Sequence, residues 1–143
     1  MSGLVSVIMP SFNTAPYIAE SIRSVMAQTY TDWELIVVDD ASTDNTDETV
    51  ADAIRHCERS EAIHYLKNDR NRGAAYSRNR ALREARGKYI AFLDSDDLWA
   101  PDKLEKQIAF MEKNGYAFSY TRYGEMDENG NPTGTVVSGP KRI

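Results

Sequence analysis

Short apolar runs alternate along the chain with stretches whose apolar residues recur at helical spacing. Val5 to Met9 is a β-branched run closed by Pro10, which reads as a buried strand ending where proline removes a ladder donor. Ile18, Ile22, Val25 and Met26 then mark one face of a helix that opens at Asn13 or Thr14 with Pro16. A second apolar strand, Trp33 to Val38, ends in Asp39 and Asp40. Beyond it a Ser-Thr-Asp-Asn-Thr run supplies caps for a helix whose buried face is Val50, Ala53, Ile54 and Cys57. Ile63 to Leu66 reads as strand three. Residues 74 to 86 read as a helix with Ala81, Leu82 and Ala85 inward and Gly87 as its stop. Tyr89 to Leu93 is a fourth, buried-looking strand. Pro101 opens a helix carrying Leu104, Ile108 and Met111, closed by Gly115 before a strand-like Tyr116 to Tyr120, and Asn129-Gly130 marks a hairpin turn.

This order predicts an α/β fold, a doubly wound and mostly parallel sheet with helices on both faces, because parallel strands require right-handed crossovers. One domain is expected over residues 1–143, with the α/β core at about 5–122 and a hairpin and tail at 123–143. Such sheets bind ligands beyond the C-terminal strand ends. Polar clusters stand at four of those ends: Pro10 to Asn13, Asp39 to Ser42, Asn68 to Gly73 and Asp94 to Asp97. Caps and turns explain each cluster singly, whereas their coincidence on one edge favours a composite site.

Composition narrows the function without naming it. A hydrophobic fraction of 41% in 143 residues makes a packed core feasible and argues against disorder. There is no run fit to span a membrane, and Met1-Ser2-Gly3-Leu4 lacks the basic start of a signal peptide, so a cytoplasmic location is expected, with peripheral membrane association left open. Cys57 is the single cysteine, which rules out an intrachain disulfide and a cysteine-rich metal centre. A net charge of −5 argues against nucleic acid as a partner. Arg70, Arg72, Arg78, Arg80, Arg83 and Arg86 nevertheless form a local basic stretch that suits an anionic ligand.

The candidate chemistry lies in Asp94-Ser95-Asp96-Asp97. In an extended backbone, side chains two apart point the same way, so Asp94 and Asp96 converge past the strand end, where Mg²⁺ or Mn²⁺ would suit them. Mg²⁺ is often shared between carboxylates and substrate phosphates, so the pattern suggests a phosphate-bearing ligand bridged by metal. A turn and capping cluster before Pro101 is the other reading. Dinucleotide binding is disfavoured because Ser11 to Tyr17 has no glycine for a phosphate turn, and sugar-nucleotide synthesis is disfavoured for want of a glycine-rich basic loop there. A phospho-accepting receiver would need an isolated aspartate and a lysine after its last strand, neither of which stands here.

Four segments together resemble the family 2 glycosyltransferases: Val5-Ser6-Val7-Ile8-Met9-Pro10-Ser11-Phe12-Asn13, Glu34-Leu35-Ile36-Val37-Val38-Asp39-Asp40-Ala41-Ser42-Thr43-Asp44, Asn71-Arg72-Gly73 with Arg78-Asn79, and Phe92-Leu93-Asp94-Ser95-Asp96-Asp97. The resemblance runs in order from residue 5 to about 120 and implies the GT-A fold. It implies that Asp40 hydrogen-bonds the nucleotide base, that Pro10, Ser11 and Phe12 line the pocket around base and ribose, and that Asp39 orients its loop or caps a helix. Phe12 could equally pack in the core. Asn68, Arg72 and Arg78 are candidates for ribose or diphosphate contacts, while Arg80, Arg83 and Arg86 read as a solvated helix face. On the same pattern Asp96 is the metal ligand, Asp94 contacts ribose or helps order the metal, and Asp97 supports them. The cofactor is then Mn²⁺ or Mg²⁺, and the substrate a nucleotide-diphosphate sugar, a UDP-sugar by preference.

An inverting transfer also needs a general base for the acceptor hydroxyl. In the family it comes from a later acidic segment, so it is expected beyond Ile143, and the chain is read as the donor-binding portion of a longer enzyme or, alternatively, a non-catalytic nucleotide-binding module. Glu125, Asp127 and Glu128 read as a solvated hairpin. Residues 56–64 form a longer, more charged link than the family usually has, with His56 and His64 solvated or packed. The acceptor, a glycan or a lipid-linked sugar, is not specified. Surface left uncovered in an incomplete domain would favour a homo-oligomer.

Overall fold

In the computed structural model, which describes residues 3–138, four strands form a parallel sheet: β1 (Val5–Ser11), β2 (Trp33–Asp39), β3 (Ile63–Lys67) and β4 (Tyr89–Phe92). Their spatial order is β3-β2-β1-β4, and α1 (Ile18–Met26), α2 (Thr46–Arg55) and α3 (Ala74–Glu84) connect them in sequence. The chain moves outward from β1 to β3 and then jumps back past β1 to β4. Right-handed crossovers therefore put α1 and α2 on one face and α3 on the other. The packing agrees: α1 lies against α2, and α3 lies on β1 and β2. This is the doubly wound arrangement with helices on both faces that the alternation predicts.

The strand side chains divide between two cores because neighbours on a strand point to opposite faces. Ile8, Ile36 and Val38 pack with Ala81 of α3, with Leu66 and Ala85 at the margin. On the opposite face, Val7, Met9, Leu35 and Val37 are fully buried, as is the Ile18, Ile22 and Val25 stripe of α1. Truncating one of these large aliphatic side chains to alanine costs about 2–5 kcal/mol by the usual transfer and cavity terms.

A division of the chain falls between Glu105 and Lys106. The second unit contains most of α4 (Lys103–Asn114) and an antiparallel hairpin of β5 (Tyr123–Met126) and β6 (Pro132–Val137). Gly115 ends the helix at φ +66°, a left-handed position that glycine adopts without strain. The Asn129-Gly130 turn is present, and Asp127 organises it: its Oδ1 accepts from Asn129 N–H and Asn131 N–H, each at 2.9 Å. No helix among the described residues is long and apolar enough to cross a membrane.

Several local expectations are corrected. Tyr116 to Tyr120 forms no strand; Tyr116 N–H turns back to the Met111 carbonyl, and Gln107 binds Ser119. β4 is not buried on both faces: it is an edge strand, with Ile90 42% and Phe92 54% exposed. Leu82 points outward from α3 rather than inward. Ile54 and Cys57 are only half-buried. The link at 56–64 holds one 3-10 turn, Ser60–Ala62, and His64 Nε2 packs 3.6 Å from Glu34 Oε1 while His56 bonds the Asp52 carbonyl. Pro10 does not end β1, which continues to Ser11. The Ile8 carbonyl accepts from Leu93 N–H, so even-numbered residues of β1 direct their backbone groups toward β4. Pro10 thus lacks its donor on the side where β4 has already finished, and the loss is free.

Gly87 also has a different task from the one expected. α3 stops at Glu84 with Ala85 already extended, and Gly87 lies against β1. A Cβ there would stand 2.7 Å from the Leu4 carbonyl oxygen and 2.7 Å from Ser6 N, backbone atoms that cannot rotate away. The contact closes a buried polar cluster, in which Gly87 N–H donates to Ser6 Oγ at 2.8 Å, Ser6 Oγ–H to Glu34 Oε2 at 2.6 Å and Arg86 N–H to the same oxygen at 2.7 Å. Gly87→Ala is expected to lower stability by about 1–3 kcal/mol through overpacking. Chemical denaturation measures this; an unchanged midpoint would refute the close-approach role.

Candidate functional site

The parallel register brings the C-terminal ends of β1, β2 and β3 level, with Ser11 paired to Asp39 and Asp39 to Lys67, while β4 stops three residues short, Phe92 pairing with Ile8. The winding direction reverses at β1, so the loops after β1 and β4 diverge and leave a crevice at that edge. An open cleft of about 200 Å³ lies there. Pro10, Ser11, Phe12, Asp40, Arg78, Asp94 and Asp96 line it, as the sequence leads one to expect, and Phe12 is 45% exposed rather than packed in the core. Thr14, Ala74, Ser77 and Ser95 complete the lining.

Asp39 and Asp40 have become carboxylates of different kinds. Asp39 shapes its own loop, accepting from Ser42 N–H at 2.9 Å and from the Ser42 hydroxyl at 2.5 Å. That loop is sewn to the one after β1: Asn13 N–H donates to Ser42 Oγ, and Asn13 Oδ1 accepts from Thr43 N–H at 2.7 Å and Asp44 N–H at 3.3 Å. Both turns need a left-handed residue, Asn13 at φ 51° and Ala41 at φ 61°. Asparagine tolerates that region, whereas alanine is held there by its surroundings.

Asp40 is 4% exposed and fully engaged from below. Its Oδ1 accepts from Asn68 Nδ2 at 2.8 Å and Arg72 N–H at 2.7 Å, and its Oδ2 accepts from Gly73 N–H at 2.8 Å. Burial pushes its pKa upward, but the donors from Arg72, Asn68 and Gly73, aided by the Arg72 charge, outweigh burial and hold it below the ordinary carboxylate range. A carboxylate offers about four acceptor positions, so roughly one is left for a ligand. Asn68 and Arg72 do not line the cleft. Asn68 spans Asp40 and Ser77 Oγ, and the Arg72 side chain grips Asp69 at 2.8 and 3.1 Å while stacking over Tyr76. Arg80 is also not a purely solvated residue, for its guanidinium bonds the Lys67 carbonyl and Asn68 Oδ1.

At the other end of the cleft the acidic segment is a turn, not an extended strand end. Asp97 N–H bonds the Asp94 carbonyl, and Ser95 points inward, 3% exposed. Thr14 Oγ1 lies 2.8 Å from Ser95 Oγ, and Ser21 Oγ–H bonds the carbonyls of Ser95 and Asp97 at 2.9 and 2.6 Å. These hydroxyls fix the turn from beneath and free its carboxylates. Oxygens of Asp94, Asp96 and Asp97 lie within 4.8 Å of one another. Burial, then the charges of Asp96 and Asp94, push the Asp97 pKa up. An all-oxygen donor set with this mutual repulsion fits a hard divalent cation. Arg78, reaching in from α3, is 3.0 Å from Asp94 Oδ1; both side chains are over a third exposed, so solvent holds this pair within about 1 kcal/mol.

The sequence does not foretell the site roles of Thr14, Ser21, Ser77 and Ser95, of which Thr14 stands out only as a possible helix start and Ser95 only as part of the acidic run. Ser21 and Ser77 did leave a trace, since each is a hydroxyl at a buried position of an amphipathic helix.

Asp40→Asn places an amide among three donors and is expected to lower stability by about 3 kcal/mol. Because the native pKa of Asp40 is lowered, its contribution is present above the unfolded value of about 3.9 and is lost as pH falls through the lower folded value. The free energy of unfolding measured from pH 7 to pH 2 should therefore fall more steeply for the wild type than for Asp40→Asn below about pH 4. Parallel curves would remove Asp40 from this role.

The model of the family described as "Glycosyl transferase family 2" matches residues 6–137. An Escherichia coli protein, "UDP-Glc:alpha-D-GlcNAc-diphosphoundecaprenol beta-1,3-glucosyltransferase WfgD", is 47% identical over 141 residues, covering 98% of this chain and 53% of its own length. The chain spans about half the length of the curated relatives it matches first. Among solved structures, the mannosyltransferase PcManGT from Pyrobaculum calidifontis in complex with GDP-Man and Mn²⁺ superposes with a TM-score of 0.73 at 33% identity, over 78% of this chain and 33% of that one. S. aureus TarS 1-349 in complex with UDP gives 0.70 at 32% identity, over 78% and 32%. With the doubly wound sheet, the cleft at its reversal point and the acidic turn in place, these similarities settle the ancestry: the chain belongs to glycosyl transferase family 2 and has its GT-A fold.

Proposed function

We propose that the cleft binds a nucleotide-diphosphate sugar, a UDP-sugar by preference, and that this chain is the donor-binding portion of a single glycosyltransferase domain. The observation that carries the reading is the division of one cleft into two unlike ends. Phe12 offers an aromatic face and Asp40 a remaining acceptor position at one end, which suits a base with an N–H. Asp94 and Asp96 with Arg78 form the other, which suits a diphosphate and its counter-ion. The relatives support this assignment, since solved neighbours hold UDP or GDP-Man with Mn²⁺.

In this reading Asp96, with Asp94, holds Mn²⁺ or Mg²⁺, and Asp97 supports them. The bound ion would neutralise charge on the departing nucleoside diphosphate. Arg78, 3.0 Å from Asp94 Oδ1, would bring its charge to the same oxygens. Asn68 and the Arg72 backbone act one step back, by fixing Asp40. Transfer would go to an acceptor hydroxyl with inversion, on a glycan or lipid-linked sugar in surface-glycan synthesis at the cytoplasmic face of a membrane. No residue of this chain is assigned the part of general base; Asp127 is committed to its own turn.

Calorimetric titration with UDP, with and without Mn²⁺, tests the proposal. Binding should require Mn²⁺, and Asp96→Ala should weaken it by at least tenfold, or about 1.4 kcal/mol. Arg78→Ala should weaken UDP more than uridine, because only the former carries the diphosphate. Metal-independent binding, or full affinity in Asp96→Ala, would sink the assignment.

A further inference from the structure

Arg72 and Arg78 hold carboxylates in different ways. The Arg72 guanidinium meets Asp69 through two bonds, from Nε at 2.8 Å and from Nη2 at 3.1 Å, and stacks over Tyr76. A two-point fork of this kind resists exchange. Arg78 meets Asp94 through one bond, Nη2 to Oδ1 at 3.0 Å, and neither side chain is buried. A single exposed contact is easily broken.

The two backbones beneath that bond are held separately. The helix bearing Arg78 starts at Gly73, whose N–H is fixed on Asp40, and Asn68 secures it again at Ser77 Oγ. The turn bearing Asp94 is fixed by Thr14 on Ser95 Oγ and by Ser21 on the carbonyls of Ser95 and Asp97. Opening the pair therefore takes a rotation of one side chain, with helix and turn in place. Both partners line the cleft, and an oxygen of Asp94 lies within 4.8 Å of oxygens of Asp96 and Asp97. A guanidinium on Asp94 Oδ1 thus takes up one oxygen of the acidic turn and repels a second cation there.

We propose that Arg78 exchanges partners, leaving Asp94 for the diphosphate of an incoming nucleotide, and so makes the affinity of the acidic turn for a divalent ion depend on that nucleotide. This rests on the reading of the cleft as a nucleotide-diphosphate site. A phosphate group matches the guanidinium fork at two points, whereas Asp94 offers it one, so the diphosphate draws Arg78 away and leaves Oδ1 to the ion. By linkage the ion must then tighten the nucleotide by the same factor. Solvent screening of the pair limits the share carried by Arg78 to about fivefold, the factor that about 1 kcal/mol represents. Contacts between phosphate and ion add a coupling that does not involve Arg78. Its own signature is a pair of opposite effects: removing Arg78 strengthens the ion alone and weakens the nucleotide. A cleft that is merely damaged would weaken both.

Mn²⁺ binding without nucleotide, followed by the electron paramagnetic resonance of the free ion, should be about three- to fivefold tighter in Arg78→Gln than in the wild type. UDP affinity in the presence of Mn²⁺ should fall in the same variant. Equal or weaker Mn²⁺ binding by a variant with an unchanged circular dichroism spectrum would overturn the exchange and leave the donor-site reading standing. In the wild type labelled with carbon-13 arginine, the guanidinium carbon of Arg78, identified by its loss in Arg78→Lys, should shift when UDP is added with diamagnetic Mg²⁺. A signal that stays in place while UDP binds would show that Arg78 remains on Asp94, and would also overturn the exchange alone. A wild-type chain that binds UDP neither with nor without the ion would overturn this inference and the donor-site reading together.

Discussion

The carboxylate of Asp40 is the fixed point of the site. A buried charge is costly unless its acceptor positions are filled, and here one side chain and two backbone amides fill three of them. All three donors come from the segment between β3 and α3, so the end of β2 is bolted to the beginning of that helix. The helix bearing Arg78 therefore has a defined starting point and phase over the sheet. Two loops that could wander in a structure held by sheet pairing alone are instead tied through a single pair of oxygens.

The acidic turn follows the opposite logic. There the protein spends its hydrogen bonds on the backbone and on Ser95, using Thr14 and Ser21 to hold the turn from the core side. Arg78 reaches Asp94 from α3, and Asp94, Asp96 and Asp97 crowd one another. One acidic group in this cleft is neutralised internally, and a second is kept in need of cations. That contrast distinguishes a structural carboxylate from a ligand-seeking one better than burial does, because both lie on the same sheet edge.

Much of this was readable from the residues. Runs such as Val5 to Met9 and Trp33 to Val38 are legible because strands buried on both faces need nearly continuous apolar sequence, interrupted here by Ser6 and Glu34, which bind each other. The same rule misled for Tyr89 to Leu93, where apolar content is equally high but the strand lies at the edge; composition reports attraction to a core without saying whether a neighbour is present. Leu82 failed for the same reason. The resemblance made Arg72 and Asn68 candidates for ribose or diphosphate contacts, whereas the fold places them outside the cleft lining as supports for Asp40. The hydroxyl network was illegible because serine and threonine are common in every setting, and only their spatial meeting gives them a role.

Pro10 has a consequence for a strand other than its own. The next rung of the β1–β4 ladder after Leu93 would require an N–H from residue 10, and proline has none. The polypeptide leaving Leu93 is thus denied further pairing at the place where Asp94 begins, and must turn away from the sheet. A ring closed on one nitrogen, at the far side of the sequence, acts as a length gauge that decides where the acidic turn starts.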